Sequence, residues 1–156
     1  MQAKERILQL LKSKKVMQLA TVRDGQPWVC NLHFWADDDG YLYWISTEAR
    51  RHSQEIKDDK RVAAAIAVQT DEEVPGTPPI GIQVEGDAEL VTGPEMQPLL
   101  RKYFDYHRKP EKLYDEIIAG ENPHKLYRLK PRLYVIFDVQ NSPKDPRKEW
   151  SVEAGQ

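Results

Sequence analysis

Two tight turns constrain this chain more than any other feature. Asp24-Gly25 separates the apolar run Val16-Met17-Gln18-Leu19-Ala20-Thr21-Val22 from Trp28 to Ala36. Asp37-Asp38-Asp39-Gly40 then separates that segment from Tyr41-Leu42-Tyr43-Trp44-Ile45. An Asp-Gly pair between apolar runs is a hairpin signal, because such turns need positive φ, which glycine adopts freely. Three strands joined by two such turns make an antiparallel meander. Pro27 stands where the second strand begins, a place that tolerates a missing N–H.

Periodicity places the other elements. Ile7, Leu8, Leu10 and Leu11 recur at helical spacing, so residues 3–13 read as an amphipathic helix. A short helix is expected over Arg50–Asp59, then a fourth strand from Arg61 to Gln69. Residues 70–79, rich in Asp, Glu and Pro, read as an exposed loop. A fifth strand runs from Ile80 to Val91. Pro94 and Glu95 open a helix to His107, as proline at a helix start and an acidic first turn predict. Pro110 to Ala119 reads as a further short helix closed by Gly120, and His124 to Asp138 as the last strand. Gly81, Gly86 and Pro131 mark bulges or close backbone approaches. Six mostly antiparallel strands with interspersed helices predict a mainly β, α+β fold: a small barrel with added helices.

The 156 residues suit one domain, since domains cluster at ~100–150 residues. We expect it over residues 1–140, followed by a polar tail, 141–156, whose one large apolar residue is Trp150. A net charge of −2, from 23 basic and 25 acidic residues, offers no electrostatic footprint for nucleic acid. The apolar runs fall well short of the ~20 residues of a membrane helix. Met1 to Arg6 lead into an amphipathic helix and not a signal peptide, which predicts a cytoplasmic protein. The single Cys30 excludes an internal disulfide and reads as a small apolar filler. His33, His52, His107 and His124 lack metal-ligand spacing, so no metal site is expected. No Ser/His/Asp set suggests hydrolysis.

The candidate chemistry lies between the third strand and the helix after it. Ser46, Arg50, Arg51, His52 and Ser53 gather at a strand end and a helix start. A helix N-terminus presents free N–H groups and partial positive charge, and arginine adds paired donors that match a phosphate. Read alone, the same residues are equally a solvated surface, because charge runs are common.

The order of elements decides between these readings. Leu19-Ala20-Thr21-Val22, Gly25-Gln26-Pro27, Cys30-Asn31-Leu32-His33-Phe34, Leu42-Tyr43-Trp44-Ile45-Ser46, Arg51-His52, Arg61-Val62 and Gln83 to Leu90 together resemble the FMN-binding split-barrel superfamily of pyridoxamine 5′-phosphate oxidase, over residues 5–140. The Asn31 strand and the Arg51-His52 pair look closest to a small bacterial subgroup of it. The resemblance implies a six-stranded antiparallel Greek-key split barrel. It also implies a homodimer with FMN in clefts at the subunit interface. Ser46, Arg51 and His52 would hold the phosphate. Cys30, Asn31 and Leu32 would run along the flavin ring, largely through backbone. Gln83 would meet the flavin from the partner subunit, two positions after the family's glutamine and on the same strand face. Trp150 would cap the cleft or dock the tail. Trp28, Trp35 and Trp44 read as core or interface residues ahead of flavin-stacking ones.

Departures from the family concern the substrate. Cys30 and Trp35 stand near places where the vitamin oxidase carries basic residues, and Pro146-Arg147-Lys148-Glu149-Trp150 replaces its basic, glycine-containing C-terminal signature. The expected function is therefore an FMN-dependent oxidoreductase acting on another small molecule, with a small reductant such as a reduced nicotinamide. The alternative is a non-catalytic flavin, haem or deazaflavin binder acting as carrier or sensor. A module with an empty cleft is a third reading.

Overall fold

Strand alternation builds a barrel in the computed structural model, which describes residues 2–70 and 72–153. Met1, Asp71 of the expected loop and residues 154–156 of the expected tail lie outside the described residues. The elements are α1 (Ala3–Leu11), β1 (Val16–Arg23), β2 (Gln26–His33), β3 (Trp35–Ala36), β4 (Leu42–Thr47), α2 (Arg51–Asp58), β5 (Arg61–Gln69), β6 (Ile80–Leu90), α3 (Met96–His107), α4 (Glu111–Ile118), β7 (His124–Asp138) and β8 (Arg147–Ser151). Every pairing is antiparallel, in the order β2-β1-β5-β6-β7-β4-β3, with β8 also on β7.

Only Phe34 separates β2 from β3, so the two ends of that path are one bent strand. Its first part pairs with β1 and its last part with β4. Phe34 is fully buried, and its N–H donates to the Lys15 carbonyl at 2.9 Å. Counting β2–β3 once, six strands close a mainly β, split-barrel fold, as the sequence predicts. β4 and β8 share one edge of β7, the former along His124–Leu129 and the latter along Leu133–Phe137.

The core has two parts. Met17, Leu19, Leu42, Trp44, Ile66, Ile82 and Ile136 fill the barrel, and Ile7 and Leu11 of α1 pack against them. Tyr43, Leu100, Tyr103, Phe104 and Leu126 form a second cluster, where α3 covers the outside of β4. Both faces of β4 are thus covered, which explains an apolar run without alternation. Gly86 faces Pro131 at a register shift that skips Arg132, and a Cβ at Gly86 would overlap the Lys130 carbonyl oxygen. Only glycine fits there. At Gly81 a bulge lies opposite, between Ala67 and Gln69, but a Cβ would meet nothing.

The tail carries a strand that its polar composition conceals. Within β8, Trp150 stacks on Tyr134 with ring centroids 5.3 Å apart, and its indole lies against Gly40. The Tyr134 hydroxyl donates to the Gly40 carbonyl at 2.6 Å. Among the described residues, no helix is long and apolar enough to cross a membrane.

Candidate functional site

The period of two in β4 turns Leu42, Trp44 and Ser46 to the same side. Leu42 and Trp44 reach the barrel core, while Ser46 arrives under the start of α2. Residues 48–50 separate the end of β4 from the start of α2. Its N-cap, Arg50, makes no side-chain capping hydrogen bond. The first N–H groups of the helix therefore remain oriented donors at its positive end. His52 and Ser53 of the first turn are buried, and Arg51 is exposed.

Ser46 Oγ and His52 Nε2 lie 2.9 Å apart, and Ser53 Oγ donates to Ser46 Oγ at 3.5 Å. Burial, and secondly the charge of Arg50, push the His52 imidazole below its ordinary pKa, against the opposing pull of Glu55. A neutral His52 that donates from Nε2 leaves the Ser46 hydroxyl hydrogen on the Thr47 carbonyl, a long 3.5 Å contact that a ligand oxygen can displace.

Arg51 leans the other way. Its Nε donates to Glu55 Oε2 at 2.7 Å, one helical turn along. Its guanidinium carbon lies 3.9 Å from the centroid of the Trp28 ring. Its Nη groups make no hydrogen bond among the described residues. Thr21 Oγ1 donates to Glu55 Oε1 at 3.1 Å. Burial alone would raise the Glu55 carboxyl, but hydrogen bonds from Arg51 and Thr21 and the charges of Arg51 and Arg23 hold it below the usual value. The local chemistry suits an oxyanion: helix N–H groups, one serine hydroxyl, one neutral imidazole and the open edge of a held guanidinium. This donor set fits a phosphate monoester.

The expected site residues divide by strand face. Cys30 pairs with the inward-facing Leu19, and burial first and Glu55 second raise its thiol. Leu32 is half-buried against the barrel core. Asn31, between them, faces outward, where Gln18 Nε2 donates to its Oδ1 at 3.0 Å. Asn31, Gln18, Ala65 and Gln83 are successive cross-strand partners, so Gln83 shares this outer face. A shallow groove of about 360 Å³ lies there, lined by Gln18, Ala20, Val29, Ala65, Gln83 and Val135 among others. Ser46 and Cys30 lie on the sheet face that carries α2, with its Arg51 and His52, whereas Asn31 and Gln83 lie on the opposite face. Trp150 sits on Tyr134, nine residues along β7 from Lys125, the partner of Ser46.

Sequence reasoning missed Glu55 and Thr21, and assigned Trp28 to core or interface. Two signals pointed to them. Arg51 and Glu55 are four residues apart on a helix. The Asp24-Gly25 turn pairs Arg23 with Gln26, which places Thr21 directly opposite Trp28. Trp44, by contrast, is wholly buried, as expected.

A family model described as pyridoxamine 5′-phosphate oxidase matches residues 3–134. Among solved structures, the chain is similar to a heme binding protein from Mycobacterium smegmatis, at 18% identity and a TM-score of 0.75, over 99% of this chain and 60% of that one. It therefore spans only about three fifths of that protein's length. A FAD-binding protein from Mesorhizobium loti matches at 19% identity and a TM-score of 0.66, over 85% of this chain and 90% of that one. The heme storage protein of Vibrio cholerae matches at 20% identity and a TM-score of 0.59, over 84% and 91% respectively. These likenesses establish a shared fold. Among curated proteins, none matches the chain in sequence.

Proposed function

The chain belongs to the pyridoxamine 5′-phosphate oxidase family, and from that premise we propose that it is an FMN-binding flavoprotein with oxidoreductase activity on a small molecule. The observation that carries this reading is the Ser46–His52 pair beneath the uncapped start of α2, beside the open edge of Arg51. Ser46, Arg51 and His52 hold the phosphate. The backbone of Cys30 to Leu32 runs along the ring. FMN supplies hydride and electron-transfer chemistry, so the protein needs to orient the ring and control access to it. Pyridoxamine and pyridoxine phosphates are disfavoured as substrates, because Cys30 and Trp35 stand where the vitamin oxidase is basic.

Asn31 and Gln83 reach the same flavin only if a second subunit covers the outer sheet face. We therefore propose a homodimer. Its support is the uncovered carpet of Ala63, Ala65, Ala67 and Val29, flat enough for a second copy to lie on. The small-molecule substrate and reductant enter at that interface. A cytoplasmic setting, where such reductants are made, belongs to the same proposal, which involves neither nucleic acid nor membrane.

A second reading is a carrier or sensor of flavin, deazaflavin or haem. It is supported by the heme-binding and heme-storage proteins that share the fold. The absorption spectrum of freshly purified protein separates the readings. Flavin bands that bleach with a reduced nicotinamide support the oxidoreductase. Flavin that stays oxidised supports the carrier, and an intense near-ultraviolet band supports haem. In a titration of stripped protein, Arg51→Ala is expected to weaken FMN binding by about 1.5–3 kcal/mol, the range for a hydrogen bond to a charged group. Unchanged affinity would count against the site.

A further inference from the structure

We propose that Glu55 is a positioning residue: from the buried face of α2 it fixes the Arg51 guanidinium with its Nη edge open to the ligand, and so sets the preference for a phosphorylated flavin over its unphosphorylated form. The proposal rests on the FMN reading above.

Glu55 is 1% exposed. A carboxylate buried this way is strongly disfavoured unless it is paired and hydrogen-bonded. Both oxygens are engaged, one by Arg51 Nε and one by Thr21 Oγ1. Thr21 keeps the carboxylate from rotating away, and Glu55 keeps Arg51 from sweeping through solvent. Trp28 covers one flat face of the guanidinium. Thr21 and Trp28 are direct partners across the β1–β2 hairpin, so one cross-strand row supplies both supports. With one face and the Nε position taken, the Nη groups remain as a forked pair of donors, the geometry that matches two phosphate oxygens.

Helix stability does not account for this arrangement. An acidic side chain preceding a basic one by four residues is the favourable order, and here the order is reversed. Arg51 opens α2 and Glu55 falls in its last turn, so both charges oppose the helix dipole. What the placement does achieve is positive potential at an uncapped helix start, with a rigid donor in front of it. An arginine held in advance loses less side-chain entropy on binding than a mobile one.

The test compares FMN with riboflavin, which lacks the phosphate, by quenching of flavin fluorescence with stripped protein. We expect the wild type to prefer FMN. Glu55→Gln should lower FMN affinity about tenfold and leave riboflavin affinity unchanged. Because Glu55 acts through Arg51, adding Glu55→Gln to Arg51→Ala should cause no further loss. Should Glu55→Gln fail to fold, Trp28→Leu, which alters a partly exposed residue, carries the same comparison. Equal weakening of both flavins, an unchanged preference, or losses that add to those of Arg51→Ala would overturn the positioning role alone. A wild type that binds the two flavins equally would overturn the phosphate reading and this proposal together.

Discussion

His107 is held neutral by its surroundings. Burial is the main cause, opposed by a hydrogen bond to the Phe34 carbonyl and reinforced by the charges of Lys15, His33 and Lys109, and the imidazole is pushed down to about 4. Because a carbonyl can only accept, Nε2 carries the hydrogen in the 2.9 Å contact with Phe34. An unfolded histidine takes a proton near pH 6.5, whereas this one resists until about 4. Between those values the unfolded chain binds more protons, so stability falls as pH falls through that window. The shift corresponds to at most about 3.4 kcal/mol, which solvent screening at this half-buried ring reduces to about 2–3 kcal/mol. His107→Gln keeps a donor for the Phe34 carbonyl and does not titrate. Urea unfolding at both ends of the window should show a shallower dependence in the variant. Some slope will remain from His52, which burial and Arg50 also push down. Identical slopes would mean that His107 is not the responsible group.

At the scale of elements, β8 shows how a polar segment becomes structural. Arg147, Lys148 and Glu149 are exposed, and only Trp150 and Val152 of this region reach the core. Pairing with β7 satisfies the backbone, and the stack of Trp150 on Tyr134 anchors the strand over Gly40. Trp150→Ala should cost about 2–3 kcal/mol of stability, below the range for a fully buried aromatic because Trp150 is partly exposed. Denaturant unfolding measures that loss, and FMN titration separates the two roles of the residue. Unchanged FMN affinity assigns Trp150 to docking the tail. A parallel loss of FMN assigns it to capping a cleft as well.

At the scale of the molecule, one sheet face is left bare. The barrel interior is filled, α3 covers the outside of β4, and the outer sides of β1 and β5 present Ala20, Ala63, Ala65 and Ala67, with Gly81, Gln83 and Glu85 of β6 beside them. Small side chains there make the face flat, and Val29, at 58% exposure, stands beside it. If a second copy covers this face, a charge in its middle must separate the subunits. Ala65→Glu should leave the far-ultraviolet circular dichroism unchanged, because the position is exposed. It should convert a dimer to a monomer in sedimentation equilibrium and weaken FMN binding in parallel. A wild type that sediments as a monomer would remove the two-subunit cleft from the proposed function.

Local chemistry by itself determined much of this protein. The Asp-Gly turn set the β1–β2 register, because a two-residue loop leaves little freedom. Ser46, Arg51 and His52 were legible because a strand end and a helix start adjoin in the chain. Packing decided the rest. The change of partner at Phe34 follows from pairing with β1 before it and β4 after it, and β8 from pairing with β7. The strand period put Asn31 and Cys30 on opposite sides, and packing decided which side meets the core. Glu55 gains its meaning from Thr21, 34 residues earlier. Such contacts join distant segments, and no local propensity encodes them. They form because burying the barrel's apolar face leaves these polar groups no partners except one another.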